Sequence, residues 1–421
     1  MDYFLKYGKE GLPLNFDDQF NITVLQPRNT PGVTNPDQLL TESLQHPIGD
    51  TALAEKVTPE SKIGIIINDI TRATPTRFIL EGVLHELSTV PSENITLFIA
   101  LGTHRKDSPD ELKGILGEEN FNRFRIVQND CEDQSTQTCL GKSSLGHDVW
   151  LNSELLKCDL ILLTGFIEPH LFAGFSGGGK AIMPGMAGKT TIMQNHGIEM
   201  IGNSQAIWGV TVGNPIWEEI QEIAEMAGKI FLINITMNNQ REITGVFCGN
   251  LRKAHAEGVK FVKSSSMVEV PHAFDLVITT NDGFPLDQNL YQSFKGISAA
   301  ARIVKPGGAI IMASECIDGI GIQNFEHFEK ILKIVGTPQR LLFLLKVLGS
   351  RIHDRWQMQI LAQNLSRTHT FLYSALPDKE VKAFMLEPTH DIVQTCRNLY
   401  PGAQICIMPH GPLSIPFVSE K

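Results

Sequence analysis

The chain has 421 residues, 42% of them hydrophobic and 19% charged, and a formal net charge of -10. That length exceeds what one hydrophobic core ordinarily serves, so two domains are expected, and the balance of apolar and charged residues excludes a disordered or fibrous chain. The acidic balance argues against nucleic acid, which is held by clustered lysine and arginine. No window approaches the roughly 20 apolar residues of a membrane span, and the N-terminal MDYFLKYGKEGLPLNF lacks the apolar run of a secretory signal, so a cytoplasmic protein with no membrane partner is expected.

In chain order, short apolar runs bounded by turn residues recur: KIGIIIND (62 to 69), ITLFIAL (95 to 101), CDLILLTG (158 to 165), KIFLINI (229 to 235), DLVITTND (275 to 282), GGAIIMAS (307 to 314) and the late QICIMPHG (404 to 411). Several are apolar throughout instead of alternating, as strands covered on both faces should be. Helix-like stretches lie between them, among them PTRFILEGVLHELSTV (75 to 90), PIWEEIQEIAEMAG (215 to 228) and NFEHFEKILKIVG (324 to 336). Strands alternating with helices predict an α/β fold: two α/β domains with mostly parallel or mixed sheets and an active-site cleft between them. SSSMVEVPH (264 to 272) marks the boundary, giving domains 1–268 and 269–421, with the tail from about 400 a candidate to return to the first. The seven cysteines are scattered without a C-x-x-C pair, which is neither a disulfide framework nor a thiolate zinc site.

GGGKAIMPGMAGKTT (177 to 191) invites comparison with a nucleoside-triphosphate loop. The spacing fails: the position that should be the first glycine of G-x-x-x-x-G-K-[ST] is Met183, and Pro184 removes a backbone donor from the loop.

Ligands of open α/β sheets bind at the carboxyl ends of strands, so the residues after each run carry the functional signal. After the first come Asp69, Ile70, Thr71, Arg72, Ala73, Thr74 and Pro75, readable either as a helix cap with a surface arginine or as an anion clamp. The second ends in Gly102-Thr103-His104-Arg105, and the third leads to Glu168-Pro169-His170. Two histidines at equivalent strand ends suit proton transfer near neutral pH. Lys180 follows in a glycine-dense loop, and Asn195-His196 comes near the end of a helix. In the second domain, Tyr291, Gln292 and Lys295 share one side of a helical turn, where a basic residue can complete an anion clamp with Arg72.

NDITRATP, GTH, EPHLFAGFSGGGKAIMPGMAG, the NH at 195 to 196 and LYQSFKG together resemble the nickel-dependent lactate racemase family. The stretches run in order from 68 to 296, and GFSGGGKAIMPG between widely spaced histidines is the specific part. The resemblance implies a nickel-pincer nucleotide, pyridinium-3,5-bisthiocarboxylic acid mononucleotide, supplied by separate biosynthetic enzymes. It implies that Lys180 carries the cofactor through a thioamide, that His196 ligates nickel, and that His104 and His170 are acid/base residues on opposite faces of a 2-hydroxy acid. Asp69, Ile70, Thr71, Arg72, Gln292 and Lys295 would contact the cofactor. Arg72, Tyr291 and Lys295 would contact substrate, and Trp356 in HDRWQMQ is a candidate wall of the substrate pocket or an ordinary core aromatic. Lactate is the first substrate expected, with malate, a larger aliphatic or an aryl hydroxy acid as alternatives. A binding protein that holds a nucleotide or hydroxy acid without turnover is the rival of another class. A nicotinamide dehydrogenase is disfavoured, because no G-x-G-x-x-G opens a helix after an early strand.

Overall fold

The computed structural model describes residues 1–321, 326–348 and 355–419; the start of the 324 to 336 helical stretch, Asn324-Phe325, lies outside them. The chain forms two compact units, one of Asn29–Ser264 and one of Met1–Arg28 with Ser265–Lys421. Both are layered α/β structures built on a six-stranded sheet.

The Asn29–Ser264 unit holds its strands in the spatial order Ile243–Gly249, Ile230–Met237, Leu160–Phe166, Ile63–Asn68, Ile95–Ala100, Arg125–Gln128. All neighbours run parallel except the Ile243–Gly249 edge, which is antiparallel to Ile230–Met237. The central runs are apolar throughout because both faces are covered: Ile63, Ile65, Ile66 and Ile67 have no accessible surface, nor do Ile161, Leu162 and Leu163. Thr76–Glu86 buries Ile79, Leu80 and Val83 against one face. Pro215–Met226 begins at Asn214, whose side chain accepts hydrogen bonds from the Ile216 and Trp217 amides, with Pro215 in the first turn.

The second unit's sheet is parallel throughout, in the order Glu387–Pro388, His369–Tyr373, Val304–Ala313, Phe274–Thr280, Gln404–Met408, Asn21–Val24. This differs from the contiguous division expected from sequence. The backbone of Asn21–Val24 pairs with Gln404–Met408, so the first 28 residues join the later unit. The tail from 400 stays there too, because Gln404–Met408 is an interior strand and Ile415–Val418 pairs with Met267–Val270. The chain passes between units at Ser264 and Ser265. All seven cysteines are free thiols, and no described helix is long and apolar enough to cross a membrane.

Leu162 pairs with Ile65 on one side and Phe231 on the other and is fully buried. Leu162→Ala should lower stability by about 2–5 kcal/mol, measured as a fall in the urea midpoint of the sheet's unfolding transition.

Candidate active site

The strand order places a topological switch between Ile63–Asn68 and Leu160–Phe166: the chain proceeds outward to Ile95–Ala100 on one side and to Ile230–Met237 on the other. Diverging loops at such a point open a crevice at the carboxyl ends. Three of those loops carry Asp69 to Thr74, Gly102 to His104 and Ile167 to His170. Gly102 makes the second loop possible with a φ of +56°, its amide donating to Gly185 O at 3.1 Å.

The first two loops meet. His104 Nδ1 lies 2.6 Å from Asp69 Oδ2, and the hydroxyl of Thr71 donates to Asp69 Oδ1 at 2.8 Å. Arg72 Nη1 in turn donates to Thr71 Oγ1 at 3.1 Å. Asp69 is 4% exposed, and burial alone would raise its carboxyl; the hydrogen bond and charge of His104, with Thr71 and Arg72, overcome that and hold it below the usual range. A carboxylate at Nδ1 keeps that nitrogen protonated and leaves the lone pair on Nε2. Asp69, a proposed cofactor contact, also orients a histidine.

His170 is held the opposite way. It sits on the short Pro169–His170 strand, paired with Gly174–Phe175, and Ser176 closes this hairpin through its hydroxyl to Phe166 O and the Glu168 amide. The backbone amide of Ala173 donates to His170 Nδ1 at 3.2 Å, so the ring's proton belongs on Nε2, which lies 3.3 Å from Lys180 Nζ. A donor at Nε2 suits a neutral amine. Lys180 keeps some accessible surface, but desolvation of its head group, followed by the charge of Arg72, pushes its pKa down to about 7, with Glu168 opposing.

Phe172 joins these groups. Its ring centroid is 4.6 Å from that of His170 and 5.0 Å from that of His196, both edge-on, and Lys180 Nζ stands 5.7 Å from it. Its carbonyl is tied to Asn214, the cap of Pro215–Met226. Neither Phe172, inside the quoted motifs, nor Asn214, outside them, stood out by residue type. His196 caps the short helix Lys189–Asn195 and is buried. Lys189 starts that helix and pairs with Glu132 at 2.6 Å.

Protein atoms press on all three glycines before Lys180. A Cβ at Gly177 would fall 2.5 Å from Asn234 Oδ1, at Gly178 2.9 Å from His255 Cδ2, and at Gly179 2.9 Å from Ile220 O. Asn234 Oδ1 also accepts from the Gly178 amide at 2.7 Å, and His255 Nε2 donates to Ser176 O at 2.9 Å. Burial pushes the His255 imidazole down to about 4, so it is a neutral donor.

Tyr291, Gln292 and Lys295 belong to the other unit, on Leu290–Ala300, where they are half-buried while Ser293, Phe294 and Gly296 between them are buried. Asn289 caps this helix by accepting from the Gln292 amide. Gly296 packs it on Phe274–Thr280, since a Cβ would come within 2.6 Å of Thr280 O. Arg355 and Trp356 are buried at the start of Arg355–Leu365. Ile70 is 45% exposed. No described group of three or more His, Cys, Asp and Glu side chains is gathered in metal-binding geometry.

The family models and relatives that match this chain define an isomerase of the racemase class. The description "Lactate racemase N-terminal domain" matches residues 7–209, and "Lactate racemase C-terminal domain" matches 270–412. The lactate racemase of Thermoanaerobacterium thermosaccharolyticum is 34% identical over 394 residues, 92% of either chain; that of Lactiplantibacillus plantarum is 33% identical over 419, 97% of either. The chain belongs to the lactate racemase family. It superimposes on the lactate racemase apoprotein of T. thermosaccharolyticum with a TM-score of 0.91 and 31% identity, covering 100% of both chains. A protein from Thermotoga maritima shares the fold at a TM-score of 0.68, with 17% identity over 91% of this chain and 98% of that one.

The depressed Lys180 pKa sets a pH dependence. Labelling of Lys180 by an amine-acylating reagent, mapped by mass spectrometry across pH, should rise with a midpoint near 7, below that of exposed lysines. Arg72→Ala removes a positive charge that disfavours the ammonium, so the midpoint should move upward; an unchanged midpoint would contradict the assigned cause.

Proposed function

We propose that this enzyme racemises a short 2-hydroxy acid, lactate first, with His104 and His170 as the acid/base pair and a nickel-pincer nucleotide attached at Lys180 and ligated by His196. The observation that carries the reading is the opposite polarity of the two imidazoles: His104 faces a carboxylate through Nδ1, while His170 accepts a backbone amide there. One therefore presents a lone pair at Nε2 and the other a proton. Inversion at a carbon bearing a hydroxyl needs both. The lactate racemase relatives support lactate over the other hydroxy acids considered.

The residues present fit the cofactor. A thioamide requires a lysine that is neutral near physiological pH, and Lys180 is depressed to about 7. The buried His196 imidazole would serve as the protein's ligand to nickel, with the remaining donors coming from the cofactor itself. When bound, the cofactor would supply a reversible hydride acceptor for the substrate's Cα.

The chain's own residues do the remaining work. His104 Nε2 takes the hydroxyl proton of one enantiomer, and Asp69 stabilises the resulting imidazolium. His170 enters this step as the imidazolium, its Nδ1 protonated in place of accepting the Ala173 amide, so that giving the Nε2 proton to the substrate oxygen on the other face leaves a neutral ring. For the opposite enantiomer the two exchange roles. Arg72 holds the carboxylate as a fork, an arrangement for which its planar guanidinium is suited. The substrate and cofactor contacts of Ile70, Thr71, Tyr291, Gln292, Lys295 and Trp356 belong to the same proposal, as do a cytoplasmic setting and cofactor supply by separate enzymes.

In protein loaded with cofactor, His104→Ala and His170→Ala should each lower interconversion of D- and L-lactate by about 10²–10⁴-fold, read on a chiral column. Intact mass should show the adduct retained in both variants and missing in Lys180→Ala. Full activity in Lys180→Ala would remove the attachment role. A screen of chiral 2-hydroxy acids in the same assay tests the substrate: a rate on malate or mandelate well above that on lactate would replace lactate in the proposal.

A further inference from the structure

Behind His196 runs a chain of buried polar groups that proton transfer does not use. His196 Nδ1 lies 2.9 Å from Asn195 Oδ1. The other end of that amide, Nδ2, donates to Glu219 Oε2 at 2.9 Å and to Ile216 O at 3.2 Å. Glu219 is a carboxylate with 2% exposure, on Pro215–Met226. It also receives the Ser143 hydroxyl on Oε1 and the His147 ring, whose Nδ1 is 2.8 Å from Oε1 and 3.1 Å from Oε2. Ser143 and His147 form the turn between the antiparallel strands Gln137–Lys142 and Asp148–Asn152.

The same hairpin grips the helix that ends at His196. Thr191 Oγ1 accepts from the Trp150 amide and donates to Asp148 O, each at 2.8 Å, and Gln194 Oε1 accepts from the Asp148 amide at 2.7 Å. Hairpin, short helix and Glu219 are thus one hydrogen-bonded assembly.

The donor and acceptor inventory fixes a direction along it. Glu219 and the Ile216 carbonyl are acceptors only, so Asn195 must present Nδ2 to them and Oδ1 to His196. An acceptor facing Nδ1 obliges that nitrogen to carry the proton, leaving the lone pair on Nε2. We infer that Glu219, acting through Asn195 and anchored by Ser143 and His147, is a positioning residue that holds His196 in the Nδ1–H tautomer, with Nε2 ready to ligate nickel. A metal-ligating histidine commonly gives its second N–H to such a partner, which fixes tautomer and ring orientation together. The metal half of this inference rests on the nickel reading above; the tautomer half does not.

The isosteric variant Glu219→Gln separates the possibilities. Ser143 and His147 would claim the new amide's oxygen, turning its N–H groups toward Asn195 and favouring rotation of that side chain. In apoprotein labelled with ¹⁵N-histidine, with the His196 signals assigned by their loss in His196→Ala, the wild type should show a pyrrole-type Nδ1 and a pyridine-type Nε2. Glu219→Gln should show a second population with those types exchanged. A wild type in the Nε2–H form, or a Glu219→Gln spectrum identical to wild type, would overturn the inference. Should Glu219→Gln not fold by circular dichroism, Asn195→Ala gives the same reading by deleting the acceptor: exchange of types supports it, and a retained Nδ1–H form overturns it.

In protein loaded with cofactor, Glu219→Gln should retain nickel about 10–100-fold less tightly than wild type under chelator challenge. If His196→Ala instead retains nickel like wild type, the ligand assignment fails, while the tautomer result in apoprotein stands on its own.

Discussion

A parallel ladder covered on both faces admits few polar side chains along its length, and that constraint organises the Asn29–Ser264 unit. Ile63, Ile65, Ile66, Ile67 and Ile161 to Leu163 are without accessible surface. Polar chemistry is therefore displaced to the strand ends, and the order of the strands decides which ends are neighbours. Asp69 and His104, 35 positions apart in sequence, meet because their strands pair in register, Asn68 opposite Ala100. The loop after Leu160–Phe166 brings His170 to the other side of the switch point.

Around the site proposed, hydrogen bonds set which ring nitrogen of chemically identical side chains carries the proton. Three imidazoles receive three different partners at Nδ1: a carboxylate for His104, a backbone amide for His170, a side-chain amide for His196. Each partner is placed by a different element, and each dictates what the distal nitrogen offers. His255, buried and tied to Ser176 O, is a fourth imidazole with a purely architectural contact, which residue type alone would not distinguish from the others.

Much of this was legible from sequence, for a physical reason in each case. Strands buried on both faces write themselves as unbroken apolar runs, so seven of them were located within a few residues. His104 and His170 were placed just after strands, as the structure has them, because the chain must leave a parallel strand at its carboxyl end. Pairings that depend on tertiary approach were not legible. Nothing about Asp69 in NDITRATP indicates that its partner is His104, and Ser143, His147 and Glu219 lie too far from Asn195 for spacing to connect them. The first 28 residues joined the later unit through a strand, Asn21–Val24, which buries none of its four residues and so carries no signal of the sheet edge it occupies. For Gly177 to Gly179 the residue type was conspicuous, but its cause lay on the far side of the backbone.

The three glycines are pressed by three separate elements: Asn234 from the strand Ile230–Met237, His255 from the helix Leu251–Ser266, and Ile220 from the helix Pro215–Met226. The segment leading to Lys180 works as a keystone, cut to fit several stones at once. An amine seated this way would lose little further conformational entropy on being joined to a bulky group, which favours the attachment proposed at Lys180. The same fit ties the evolution of those elements together, because a larger residue at any one glycine requires a simultaneous retreat by a neighbour from another part of the chain.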